Sequence, residues 1–241
     1  MSNRTHNPTS RSSPRTGLRR FYHANGLSIV FMGLFAVSLV GHALSGVREF
    51  NAEQKSHGQP AISLGGYLRS GDFIESVFEN WESEFLQMGA FVLLGAMLFQ
   101  KGSPESKPMD DEAGEHPTDE DPRTKRDDPD APAPVHRGGL ALTVYSHSLS
   151  LSLFLLFAIS FVLHAVGGAK DWNLERSVHG ESPVSVLSYL GTSRFWFESF
   201  QNWQSEFLSV GVLVLLSVVL REKGSSQSKP VAAPHGKTGG G

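Results

Sequence analysis

The chain has 241 residues, a formal net charge of −3, 19% charged residues and no cysteine. So small a charge, with no basic segment interleaved with aromatics, gives no ground for a nucleic-acid partner. The lack of cysteine excludes disulfides, thiolate metal sites and cysteine nucleophiles. Mean hydropathy is slightly negative, but it averages four apolar blocks with polar, glycine-rich or proline-rich ends and middle.

Residues 1–20 read as a disordered cytoplasmic N-terminus. The arginines ahead of an apolar stretch resemble a signal peptide. The stretch exceeds a signal core, however, and no small-residue cleavage site follows, so a retained helix is expected. Leu27 to Val47, about 21 residues at 1.5 Å each, suffices to cross roughly 30 Å of hydrocarbon. The next apolar block, Phe85 to Phe99, is too short alone. It follows Phe73, Ile74, Val77, Phe78, Trp81 and Phe85, which share one helical face, and the two together predict one long helix. Trp81 is its expected anchor at headgroup level.

The segment 103–138 is acidic and proline-rich with little to bury, and reads as a disordered linker, either a plain tether or a docking tail. A third span is expected from about Leu149 to Val166. A fourth, Phe207 to Leu220, needs the lead Phe195, Trp196, Phe200, Trp203 and Phe207 to reach membrane length, with Trp203 as the second anchor. Residues 225–241 read as a loose tail.

The two halves repeat one another. At an offset of 122, Phe21 to Pro108 aligns with Thr143 to Pro230 without a gap, with 36 of 88 positions identical. The densest agreement is Asn80-Trp81-Glu82-Ser83-Glu84-Phe85-Leu86 against Asn202-Trp203-Gln204-Ser205-Glu206-Phe207-Leu208. The predicted fold is an all-α membrane protein of four transmembrane helices, made of two parallel tandem helical-hairpin repeats, 21–102 and 139–224, around the disordered linker. Lysine and arginine cluster at both ends and between the hairpins. By the positive-inside rule both termini and the linker are then cytoplasmic, and the two hairpin loops lie outside.

An ionisable side chain inside an apolar span marks a site or a buried partner. That singles out His42 and His164. Glu84 and Glu206 were expected at similar depth, so pairs His42–Glu84 and His164–Glu206 are predicted, with Asn80 and Asn202 on the same polar stripe. These six residues form the candidate polar centre. A metal site built from His42, His57, His164 and His179 lacks any recognised ligand spacing, so neither a metal nor a cofactor is assigned. His57-Gly58 and His179-Gly180 read as turns. No nucleophile elbow, phosphate loop or dinucleotide fingerprint occurs, and no catalytic residue is assigned. Glycines 33, 41, 89 and 95 and serines 148, 150 and 152 read as close-packing positions.

With the Asn-Trp-x-Ser-Glu-Phe-Leu signature, an apolar span ending in His-Ala and the Lys-Gly-Ser-x-x-Ser-Lys-Pro exit, the chain resembles a bacterial membrane-protein family, domain of unknown function 6766. The resemblance implies a protein of the cytoplasmic (inner) membrane and carries no activity. Between the halves Glu79 and Glu82 become Gln201 and Gln204, and Asp72 becomes Arg194, so a site built on those acids would be asymmetric. The expected role is non-enzymatic, a membrane scaffold or a path for small ions or protons, with the lipid bilayer as partner and a homo-oligomer as an allowed assembly. The alternatives are a membrane-bound metal-binding protein or enzyme using outer-face His and Glu residues, and an adaptor acting through the acidic linker.

Overall fold

The structure, a computed structural model, describes residues 14–108 and 120–239. Among these residues it contains helices and turns and no strand, and it divides into the units Met1–Leu68 and Arg69–Gly241.

In the first unit, helix α1 (Pro14–Ala24) is followed, after Asn25, by α2 (Gly26–Ser56), 31 residues long. Residues 14–20, expected to be loose, are therefore helical, while 1–13 lie outside the described residues. Phe31, Leu34, Val37 and Val40 all stand exposed on α2, as suits a helix whose apolar side chains face lipid. The helix ends at His57, where Gly58 takes a positive φ of 69°, a left-handed conformation that glycine adopts without steric cost. Asn51 then ties down the returning loop by both ends of its amide, accepting from Ile62 N at 2.8 Å and donating to Ile62 O at 2.9 Å. Ser63 caps the short α3 (Leu64–Tyr67) through Gly66 N. That turn lays Tyr67 against Phe50 and over Gly46, where a Cβ would overlap the tyrosine hydroxyl.

The second unit holds α4 (Gly71–Gly95), α5 (Ala133–Arg137), α6 (Gly139–Ser146), α7 (Ser148–Val178), α8 (Val186–Leu190) and α9 (Ser193–Val219). Ser70 caps α4 by accepting from Phe73 N, and one unbroken helix joins the aromatic lead to the apolar block. The same holds for α9, which Thr192 caps. Helix α4 runs antiparallel to α7. Gly71 lies against Asp171, Gly167 against Glu75, and Gly89 against Leu153 and Phe154. Helix α9 runs in the same direction as α4: Asn202 and Trp203 meet Glu79 and Glu82, and Ser103, just past α4, meets Ser217.

Among the described residues three helices are long and apolar enough to cross a membrane: α2, α7 and α9. Helix α4 is long enough, at 25 residues, but carries acids at 72, 75, 79, 82 and 84, which lower its apolar character. Close packing also differs from the expectation. Of the four glycines expected at helix contacts, Gly89 is in contact, whereas Gly33, Gly41 and Gly95 have nothing within 4 Å of the Cβ position among the described residues. Gly71 and Gly167 carry the α4–α7 approach instead, because they fall where the two backbones come nearest. Ser148 and Ser150 bond back to their own chain at Tyr145 O and His147 O rather than bridging helices.

The described part of the linker, residues 120–138, has a 3-10 turn at Pro122–Lys125, capped by Asp121, and then α5. Residues 109–119 lie outside the described residues. The C-terminal segment is hydrogen-bonded rather than loose. Gly239 N donates to Ser103 O at 2.9 Å, Gly102 N donates to Thr238 Oγ1 at 3.0 Å, and the buried Lys229 donates to the carbonyls of His235 and Lys237.

Candidate functional site

Beneath α8 the helices α4, α7 and α9 converge on a polar cluster. Three separate devices deliver it. Asn173 clamps the loop after α7 by accepting from Val184 N at 2.7 Å and donating to Val184 O at 2.9 Å. Ser185 caps α8, which turns Tyr189 inward over Gly168 until it is fully buried. Phe195, also fully buried, packs its ring 4.8 Å from the imidazole of His164 and forms a core with Ala165, Ala169 and Tyr189.

His164 sits at the centre with no exposed surface. Its Nδ1 lies 2.8 Å from Oε2 of Glu82, which is itself fully buried. The other oxygen of Glu82 accepts the indole N–H of Trp203 at 3.0 Å. A carboxylate only accepts, so Nδ1 carries a proton, and whenever the ring is neutral the lone pair resides on Nε2. That nitrogen lies 3.5 Å from Oε2 of Glu198 and has no aligned hydrogen-bond partner.

Around Nε2 the acceptors outnumber the hydrogens. Tyr189 has one hydroxyl proton, yet its oxygen lies 2.6 Å from Glu198 Oε2 and 3.2 Å from Glu75 Oε1. Arg194 donates from Nε to Glu198 Oε1 at 3.0 Å and from a terminal nitrogen to Glu175 at 2.6 Å. A third arm approaches Asp171 at 3.7 Å. Asn202 donates to Glu79 and to the backbone of Glu198. Tyr189 lies outside the long apolar helices. Burial first, and then its bond to Glu198, push its hydroxyl far above the ordinary phenol range, so it stays a neutral donor.

Of the six residues expected as the polar centre, His164 and Asn202 belong to this cluster. His42 is half-buried on α2 in the first unit. Asn80 and Glu84 point outward from α4, Asn80 bonding to Ser76 O of its own helix. Glu206 is half-buried and within electrostatic reach of Glu84. His164 therefore meets Glu82 and Glu198 and not Glu206. The reason is where α9 begins. It starts at Ser193, so the residue level with His164 is Glu198, and Glu206 lies about 12 Å farther along the axis. Trp81 stacks with Phe78 and Phe85, whereas Trp203 turns inward to Glu82. Glu75, Glu79, Glu82 and Glu198 were not singled out. The spacing 75, 79, 82 is the signal that identifies one face of α4.

A family model described as Domain of unknown function (DUF6766) matches residues 18–240. The chain belongs to that family. No curated protein and no solved structure matches it. The family match extends through the linker and tail as well as both halves, and its description names no activity.

Proposed function

We propose that this member of the family is a non-enzymatic protein of the cytoplasmic membrane that binds small cations and passes them along a path at the α4–α7–α9 cluster. In this reading the chain has four spans and two tandem copies, with both termini and the linker cytoplasmic. Support for the duplication comes from features that recur 122 residues apart. The clamp Asn51–Ile62 returns as Asn173–Val184, and Tyr67 over Gly46 returns as Tyr189 over Gly168. Support for α4 as a span comes from its packing along α7 from Gly71 to Gly89, which covers its acids with protein.

The observation that carries the functional reading is the placement of Glu75, Glu82 and His164, each less than a tenth exposed, with Glu198, between helices of membrane length. Charged groups in such surroundings cost several kcal/mol each unless they are matched. A cation path makes use of such groups over and above their fastening of one helix to another. The test is cation flux into liposomes holding the full chain. Glu75→Gln combined with Glu198→Gln should reduce flux at least tenfold at equal incorporation. Equal flux in the variant, or none above empty liposomes in the parent protein, returns the protein to the scaffold reading.

A further inference from the structure

We propose that Nε2 of His164, buried and without an aligned hydrogen bond, forms with the carboxylates of Glu75 and Glu198 a site for one divalent transition-metal ion of the zinc class. The inference builds on the reading of this cluster as a cation site, but it stands on the geometry of the ligands and not on transport. Single ligand atoms of the three residues lie within 4.8 Å of one another. The His164–Glu198 separation of 3.5 Å already matches the spacing of about 3.4 Å between two ligands of a tetrahedral ion with bonds of about 2.1 Å. Separations of up to 4.8 Å to Glu75 would have to close by as much as about 1.4 Å to reach that spacing, a movement within reach of a glutamate side chain.

Two further features support the assignment. The Nδ1 side of the ring is bound to Glu82, and Glu82 is held by Trp203. This is the carboxylate–histidine arrangement that fixes the tautomer and turns Nε2 towards a metal. The second is electrostatic. Four carboxylates, of Glu75, Glu79, Glu82 and Glu198, face one another with Arg194 as their nearest arginine, and Arg194 is shared with Asp171 and Glu175. Two positive charges offset that excess. An imidazole in the ligand set favours zinc-like ions over calcium and magnesium, which prefer all-oxygen sites. Three protein ligands leave a coordination position open, and Glu198, 17% exposed, supplies the side of approach.

The full chain purified in mild detergent is dialysed against Co2+ alone, and bound metal is measured by elemental analysis and visible absorption. One Co2+ per chain is expected, with the absorption bands of a low-coordinate ion, displaced by equimolar Zn2+ and not by millimolar Ca2+ or Mg2+. Glu75→Gln, Glu198→Gln and His164→Gln should each weaken binding at least tenfold, and Glu82→Gln roughly 10- to 100-fold as the orienting partner. Should His164→Gln lose its helical circular dichroism, the two near-isosteric glutamate variants carry the test. Absence of stoichiometric Co2+, or binding unchanged in Glu75→Gln and Glu198→Gln, overturns the site, as does equal displacement by Ca2+. Flux without metal binding overturns this inference and keeps the cation path. Metal binding without flux does the reverse.

Discussion

Glu82 and His164 meet at 2.8 Å with no exposed surface on either side chain, and they come from positions 82 residues apart on antiparallel helices. The contact fastens α4 to α7 at the level where α9 joins them. Removing one partner of a buried pair strands the other, at a cost of about 3–5 kcal/mol. Glu82→Ala and His164→Ala should each lower the unfolding midpoint in detergent strongly, and the double variant should cost far less than their sum. Additive losses in that cycle would show that the pair is not coupled.

The α4–α7 approach makes a second prediction. A side chain at Gly167 would run into the backbone of Glu75, and one at Gly71 into that of Asp171. Gly167→Leu should destabilise the second unit by about 1–3 kcal/mol through overpacking, while Gly33→Leu on α2, with open space around it, should leave the unfolding transition in place. A silent Gly167→Leu would mean that the two helices are farther apart.

The asparagine clamps can be tested as a pair. Each makes two hydrogen bonds to a single loop residue, and a bond of this kind contributes about 0.5–1.5 kcal/mol net. Asn173→Ala should speed hydrogen exchange of the amides from Val184 to Tyr189, and Asn51→Ala should do so from Ile62 to Tyr67. Exchange rates that stay the same in both would remove the clamp from the account of the loops.

Tyr189 sets an alkaline limit. Its folded-state hydroxyl is raised above the ordinary value of 10.0 by burial and by Glu198. Its contribution is therefore complete below pH of about 10 and is lost as pH rises and the unfolded chain ionises. The Tyr189 contribution should stay level up to that pH and fall beyond it, so Tyr189→Phe should lower stability below pH of about 10 and flatten the fall above it. In ultraviolet titration one of the four tyrosines of the chain should resist ionisation until the protein unfolds.

The number of spans is open to labelling, because the chain has no native cysteine. Single cysteines at Gln59 and Glu181 should react with an impermeant maleimide from the outer face. One at Glu120 should react only after the membrane is opened if, as proposed, α4 spans and returns the chain to the inner side. Labelling of Glu120→Cys from outside would remove α4 as a span.

The long helices were readable because apolar runs and helical spacing are local properties: the aromatic lead and the apolar block of α4, and those of α9, each form one helix. The site was harder to see. Comparing the halves favoured positions that agree, such as Asn80 and Glu84, and both of these point outward. The acids of the cluster stand at positions that differ between the halves, although His164, Tyr189, Asn202 and Trp203 have identical counterparts. Glu75 corresponds to Phe197, Ser76 to Glu198, and Glu82 to Gln204. Agreement between halves tracks what both need in order to form a helix and its turn. The departure at Glu82 was visible, but its partner was not, because nothing local to His164 tells which level of α9 it faces.

Three acids of the cluster come from α4, in the first half, while its histidine and fourth acid come from α7 and α9, in the second, so the two halves of the gene are bound to a common fate. Cut within the linker and expressed as separate polypeptides, each half would carry an incomplete centre. Function should return only by complementation, when both fragments occupy the same membrane. A lesion at Glu82 in one fragment should not be rescued by an intact Gln204 in the other. Neither half therefore holds a spare copy of the centre, because α4 and α7 share one proton-bearing contact.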